Sequence, residues 1–266
     1  MKLSKVIGLV LALSFTFSGC IFMPGAVDEL EEILKAAQET PEIDRQLKQK
    51  KFTGEKKYYY PNSKQLKSII NYVEGYREGK AINYYKDGVV CLETEYRRGL
   101  KHGNYVWNYQ SGKPYRIIQY ANNVFHGTYK EFQRSGKLKI EADFYKGLPC
   151  VGIKEYDGQG NPKKPIVLTI KDNGANRQLM LHTFTASIEE GVLDDVRFYV
   201  DGLVNGKCFD IEASKGSLQT QGNIGTLEIP IEKGKTLDVE VDIICVGKTK
   251  HGIETAITKK CRLLVK

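Results

Sequence analysis

The sequence is poor in the residues that most often carry out chemistry. Its 266 residues include four histidines, three methionines and one tryptophan. No phosphate loop, nucleophile elbow, HExxH or GxGxxG pattern occurs. These absences argue against the common nucleotide-binding, hydrolase and metalloprotease classes, and the expectation is a protein that is not an enzyme and carries no cofactor. Long apolar runs are missing too. A helix that spans a bilayer needs about 20 apolar residues, whereas the twelve-residue run VIGLVLALSFTF is too short and leads directly into small residues.

What is present at the start is MKLSK, that apolar run, and then FSGC at Phe17 to Cys20. This is the layout of an export signal. Ser18 and Gly19 before Cys20 resemble the lipobox of bacterial lipoproteins, with Phe17 standing where that family usually has Leu. The resemblance implies removal of residues 1–19, acylation of Cys20 and a membrane held through a lipid anchor. Ile21 lacks the aspartate that goes with inner-membrane retention in some diderm bacteria, which favours the outer membrane in such a host.

Charge and tyrosine divide the remainder. Residues 21–51 carry 5 basic and 7 acidic residues, 52–164 carry 20 and 11, and 165–266 carry 13 and 14. All the positive excess therefore lies in the middle. Fifteen of the sixteen tyrosines fall between Tyr58 and Tyr156. The expected organisation is a tether over 20–51, a repeat domain over 52–164 and a further domain over 165–266.

The middle segment repeats. Gly54, Gly79, Gly103, Gly127 and Gly152 stand 25, 24, 24 and 25 residues apart, a period typical of arrays. A second turn position falls at Ser63, Gly88, Gly112 and Gly136, and a third at Gly75, Gly99, Asn123 and Gly147. Asn is the non-glycine residue that best tolerates the left-handed region, so Asn123 predicts a positive φ at the third position. Between turns, Leu92, Thr94 and Tyr96, then Arg116, Ile118 and Tyr120, then Ile140, Ala142 and Phe144 share one parity. Arg116 and Ile117 break the apolar/polar alternation and put the register of their unit in question.

The segments INYYKDG, VWNYQSG, YKEFQRSG, EYRRGLKHG and FHG resemble the MORN repeat variant family over about residues 52–160. The resemblance implies a meandering antiparallel sheet in which each unit is one hairpin. Relatives include antitoxins of a YwqK type as well as scaffolding and membrane-associated modules, so the family implies no single function.

Candidate sites are few. His102 and His126 occupy equivalent positions before the repeat glycine, where other units have Thr53, Glu78 and Val151; the expected role is turn packing, with no metal. The acidic pairs Glu189–Glu190 and Asp194–Asp195 lack the alternating oxygen donors of a calcium loop. GQGNPK at Gly158 to Lys163 reads as a linker. Tyrosines at fixed repeat positions read as cross-strand architecture, whereas Tyr76, Tyr105, Trp107 and Tyr115 do not recur in every unit and are the ligand-contact candidates. Lysine and arginine interleaved with aromatics would ordinarily suggest nucleic acid. Export removes that pool, so no nucleic acid is expected, and the accessible partners are a protein or an anionic envelope polymer or lipid.

The flanks complete the expectation. Residues 26–49 predict two short helices joined at ETPE. From Pro165 onward, seven alternating runs, including KCFDIEA, predict a β-sandwich, and VRFYVDG is similar to a strand and turn of bacterial immunoglobulin-like domains. Apart from Cys20 there are five cysteines, Cys91, Cys150, Cys208, Cys245 and Cys261. Cys245 and Cys261 continue the parity of core residues, and a disulfide among Cys208, Cys245 and Cys261 is open. The fold class expected is mainly β, an antiparallel hairpin-repeat meander followed by a sandwich, with a short helical N-terminal segment. The function expected is a non-enzymatic binding or scaffolding module in the envelope; the alternative is an immunity or antitoxin-like protein that neutralises a toxin by binding it. Lipidation predicts that a Cys20→Ala variant leaves the membrane fraction on a salt wash; retention on the membrane would refute acylation at this residue.

Overall fold

A computed structural model describes residues 41–189 and 192–265. The export signal, Cys20 and the first of the two expected helices lie outside the described residues. The second helix is α1 (Pro41–Gln49). It leads into a ten-stranded sheet of β1 (Gly54–Tyr59), β2 (Leu66–Val73), β3 (Tyr76–Tyr84), β4 (Val90–Arg97), β5 (Leu100–Asn108), β6 (Pro114–Ala121), β7 (Val124–Phe132) and β8 (Leu138–Tyr145), with the short β9 (Leu148–Pro149) and β10 (Lys154–Glu155) both on β8. Every neighbouring pair is antiparallel and, from β1 to β8, consecutive in sequence. The expected hairpin meander is present.

Backbone geometry at the turns explains the period. Glu74–Gly75, Arg98–Gly99, Asn122–Asn123 and Lys146–Gly147 all have positive φ, with Asn123 at 71°, as two-residue hairpin turns of the primed type require. The N–H of Gly75, Gly99, Asn123 and Gly147 donates to the carbonyl of Phe52, Arg77, Lys101 and Phe125 at 2.7 to 3.0 Å, tying each hairpin to the one before it. Gly75 is doubly constrained, because a Cβ there would collide with the backbone of Leu47 and Lys48 in α1.

The opposite edge has its own inter-unit bond. The hydroxyls of Tyr60, Tyr85 and Tyr109 donate to the carbonyls of Tyr84, Asn108 and Phe132 at 2.7, 2.7 and 2.9 Å. Gln133 takes the place of tyrosine in the next unit and donates to the Asp157 carbonyl at 2.6 Å. These tyrosines are architecture, as their recurrence suggests. GQGNPK does more than link: Asp157 N–H donates to Asn161 and Gly160 N–H to Asp157, the same pair of bonds as at Tyr109, Gly112 and Lys113, so it closes a fifth turn of the array.

Strand parity separates two faces. On the inner face, Ile70, Ala81, Thr94, Tyr105, Ile118, Tyr129 and Ala142 stand opposite one another in sequence across β2 to β8. On the outer face Lys80 pairs with Glu93, and Glu141 with both Lys130 and Lys154; such exposed pairs contribute little, about 0 to 1 kcal/mol each. The register in question at Arg116 and Ile117 is regular. Arg116 lies between Trp107 and Glu131 on the inner face, and Ile117 between Val106 and Lys130 on the outer. The break in alternation was one of residue type, because a cross-strand carboxylate lets a cation occupy the inner face.

The C-terminal part has two four-stranded sheets. One contains β11 (Thr169–Asn176), β12 (Leu181–Ser187), β17 (Gln219–Gln221) and β18 (Ile224–Pro230); the other contains β13 (Asp194–Val200), β16 (Gly216–Ser217), β19 (Leu237–Lys248) and β20 (Glu254–Val265). They sandwich a core in which Leu168, Ala186 and Ile188 meet Phe198, Ile243 and Cys245. KCFDIEA is not one strand. β14 (Leu203–Val204) pairs with β15 (Cys208–Phe209), and a short 3₁₀ turn over Ile211–Ala213 follows, capped by Asp210, whose carboxylate accepts from Glu212 N–H at 3.0 Å.

The cysteine pairing that the sequence left open joins the two parts of the chain. Cys208 is bonded to Cys150, while Cys245 and Cys261 carry free thiols. The partner lies outside the expected trio because Cys150, just past β9, forms a bridge to Cys208 across the junction between array and sandwich. Val151 N–H donates to Lys207 at 2.8 Å beside it, and Val151 also bridges to Ala256. Cys245 is fully buried, and that burial pushes its thiol up to about 12.

If the tyrosine hydroxyls tie the units together, Tyr85→Phe and Tyr109→Phe should each lower stability by about 1 kcal/mol in chemical denaturation with the rings retained. No change in either variant would remove the bond from the account.

Candidate functional site

The inner face is covered at its two ends by different parts of the chain. At the first end, Leu47 of α1 packs on Ile70, Tyr72 and Ala81, with Phe52 beside them. Asp44 of the same helix pairs with Arg77 at 2.9 Å and accepts from the Tyr72 hydroxyl at 2.9 Å. At the other end the loop between β19 and β20 folds onto the array. Its turn is held by Gly252 N–H to Thr249 and Thr249 N–H to Ile253, and Ile253 packs against the cluster of Ile118, Tyr129, Ile140, Ala142 and Phe144. Between these shoulders lie β4, β5 and β6.

That middle stretch is aromatic and cationic. The rings of Tyr105 and Tyr120 meet edge to face at 5.8 Å, and Lys101 stands over both at 5.0 and 5.2 Å. Trp107 meets Tyr115 at 5.1 Å, and Tyr115 meets Tyr109 at the same separation. Arg116 lies over Tyr115, and Arg134 over Tyr109. Burial raises the Tyr105 hydroxyl well above the ordinary phenol range and pushes Tyr109 up to about 12, so both are neutral hydroxyls at physiological pH.

Of the four ligand-contact candidates, the structure brings three together. Tyr105 and Trp107 are successive inner-face residues of β5, and Tyr115 joins Trp107 from β6. Tyr76 stands apart. It is 43% exposed, at the α1 end, with Lys48 over its ring at 4.9 Å.

A polar cluster on the same face was not anticipated. Glu131 is 2% exposed and accepts from Arg116 at 2.9 Å, from Lys139 at 2.7 Å and from the Tyr129 hydroxyl at 2.8 Å. Burial alone would raise its carboxyl, but the hydrogen bonds from Lys139 and Tyr129 and the Arg116 charge outweigh it and hold the group below the ordinary carboxylate range. His251 of the covering loop is shifted downward by burial and by the Lys139 charge, against the opposing pull of Glu131 and Glu155. A signal was available in the repeat alignment: Glu131 occupies the position of Asn83 and Trp107, and Arg116 that of Leu92 and Ile140. Two adjacent strands therefore exchange their usual residues for opposite charges.

The position before the repeat glycine has a simple role. Thr53 accepts from Glu74 N–H at 3.0 Å, Glu78 from Arg98 N–H at 2.7 Å, and His126 from Lys146 N–H at 3.4 Å. Three different acceptors serve in these units, whereas Val151 in the last unit has no side-chain acceptor. His102 Nδ1, at the equivalent place, is buried with no hydrogen-bond partner among the described residues. No group of three His, Cys, Asp or Glu among the described residues is placed to hold a metal.

Residues 101–122 and 125–146 match the MORN repeat variant family. These two units hold Lys101, Tyr105, Trp107, Tyr115, Arg116 and Glu131. No curated protein and no solved structure matches the chain.

Removing the shared carboxylate should be costly. Glu131→Ala leaves Arg116 and Lys139 without their acceptor, and the expected loss is about 3 kcal/mol, toward the low end for a broken buried pair because Arg116 remains partly open to water. The depressed carboxyl adds a pH signature: its contribution is complete above the ordinary carboxylate range and disappears as pH falls through the lower folded value. Urea unfolding from pH 7 to pH 3 should show a shallower acid-side decline in Glu131→Gln than in the parent, and equal slopes would contradict the assignment.

Proposed function

We propose that this chain is a non-enzymatic binding or scaffolding module of the cell envelope, exported, anchored in a membrane through Cys20, and recognising its partner on the inner face of the array. The observation that carries this reading is the half-open strip of Lys101, Tyr105, Trp107, Tyr115 and Arg116 between two covered ends. Large aromatic contact area beside cations is the composition of binding hot spots. The match of this stretch to MORN repeat variants supports a binding or scaffolding role.

Several features support the finer parts. A disulfide joining array and sandwich suits an oxidising compartment, in keeping with the export signal. The sandwich, immunoglobulin-like in this proposal, acts as a spacer whose β19–β20 loop braces the array. Ile21 after the lipidated cysteine favours the outer membrane in a diderm host. The partner is a protein or an anionic envelope polymer or lipid, reached from the membrane surface. Neutralisation of a toxin is the same binding mode with a different occupant, and the capture experiment separates the two.

A photo-crosslinking residue placed at Trp107 or Tyr115 in living cells should capture a discrete partner, and the same residue at Val106 on the outer face should not. A captured envelope component supports the scaffolding reading, and a captured toxin supports neutralisation. Equal capture from Val106 and Trp107 would remove the inner face as the recognition surface.

A further inference from the structure

Three cations stand on the inner face of β3 to β6, and two of them are neutralised. Arg77 has the Asp44 carboxylate at 2.9 Å, and Arg116 has Glu131 at 2.9 Å. Lys101, between them, has no carboxylate partner among the described residues. Its register places it opposite Tyr96, and its ammonium lies over the faces of Tyr105 and Tyr120. Arg77 adds a second positive charge nearby, so burial and this repulsion both act against the Lys101 charge. A half-buried cation that rests on π faces and has no carboxylate has lost much of its hydration and gained a weak replacement, about 0.5 to 2 kcal/mol per aromatic contact.

We propose that Lys101 is an anion subsite, and that the carboxylate or phosphate it lacks is supplied by a bound ligand. This inference deepens the binding reading and rests on it for the biological ligand. The ammonium would donate to the anionic oxygens, as Arg77 and Arg116 donate to Asp44 and Glu131. The half-buried rings of Tyr96, Tyr105 and Tyr120 supply contact area beside the charge, and Trp107 continues the strip along β5.

Shape favours an extended chain over a flat surface. The open stretch covers two to three strands, roughly 10 to 15 Å at about 4.8 Å per strand. α1 stands on one side and the Thr249–Ile253 loop on the other. An extended polyanion fits between these shoulders, whereas the surface of a vesicle would meet α1 and the loop first.

The test uses the full mature chain and compares the parent with Lys101→Met, which keeps most of the side chain's length and removes the charge, and with Lys113→Met on an exposed turn. Thermal midpoints are measured in sodium phosphate, sodium acetate and sodium chloride at equal ionic strength. Phosphate strengthens apolar burial in any protein, so the readout is the difference between parent and variant. Phosphate or acetate about tenfold above its Kd should raise the parent midpoint by roughly 3 to 6 °C more than that of Lys101→Met. Lys113→Met should respond like the parent, and Lys101→Met should be at least as stable as the parent in chloride. An identical anion response in the parent and Lys101→Met would overturn the subsite, as would a large loss of stability of Lys101→Met in chloride.

Polyphosphate and polygalacturonate, tested by co-sedimentation beside phosphatidylglycerol vesicles, then distinguish a phosphate carrier from a carboxylate carrier. Lys101-dependent binding to either polymer supports the extended-chain assignment, and Lys101-dependent binding to vesicles alone would overturn it. A Lys101-dependent anion response with no crosslinked partner in cells would leave the subsite standing and remove the envelope-binding reading; capture from Trp107 without such a response would do the reverse.

Discussion

The array depends on hydrogen bonds that run from each hairpin to its neighbour at both edges of the sheet. At one edge the turn N–H of Gly75, Gly99, Asn123 or Gly147 reaches the carbonyl of the preceding unit; at the other, Tyr60, Tyr85, Tyr109 or Gln133 reaches the carbonyl of the following unit. A hairpin is marginal alone, and a stack gains stability from each interface it forms. Because both bonds need fixed positions along the chain, the period is held at 24 or 25 residues. Everything on the inner face inherits its spacing from this constraint.

That spacing makes the inner face informative. Positions equivalent by repeat carry Asn83, Trp107 and Glu131, or Leu92, Arg116 and Ile140, so each unit presents a different side chain in the same place. The first units are closed by α1 and the last by the β19–β20 loop. The disulfide between Cys150 and Cys208 fixes that loop's parent sandwich to the end of the array. Among the described residues, Lys101 is the inner-face cation of β3 to β6 without a carboxylate partner, and it lies between the covered ends. Closure at both ends leaves the half-buried aromatic strip and the Lys101 charge between them.

Much of the fold was legible because its determinants are local. Turn glycines, with Asn123 as the telling substitute, announce positive φ; strand parity announces the two faces; alternating runs announce the sandwich. What was not legible depends on pairing across distance. Arg116 looked like an error of register until Glu131, fifteen residues on, appeared opposite it. The Cys150–Cys208 pair spans 58 residues and joins two differently patterned segments, so no local rule selects it. Tyr105, Trp107 and Tyr115 were singled out as breaks in the period and do come together, whereas Tyr76 meets the same criterion and lies apart beside α1. GQGNPK read as a linker from composition, although its hydrogen bonds repeat those of the earlier turns.

The central claim is that the inner face over β4 to β6 is where this protein meets its partner. Hydroxyl-radical footprinting of the full chain, in living cells and after purification, tests it most directly. The account predicts that Tyr105, Trp107 and Tyr115 are oxidised more slowly in cells than in the purified protein, while Ile82 and Val106 on the outer face are unchanged. Equal oxidation of the inner-face residues in both settings, or protection confined to the outer face, would contradict it.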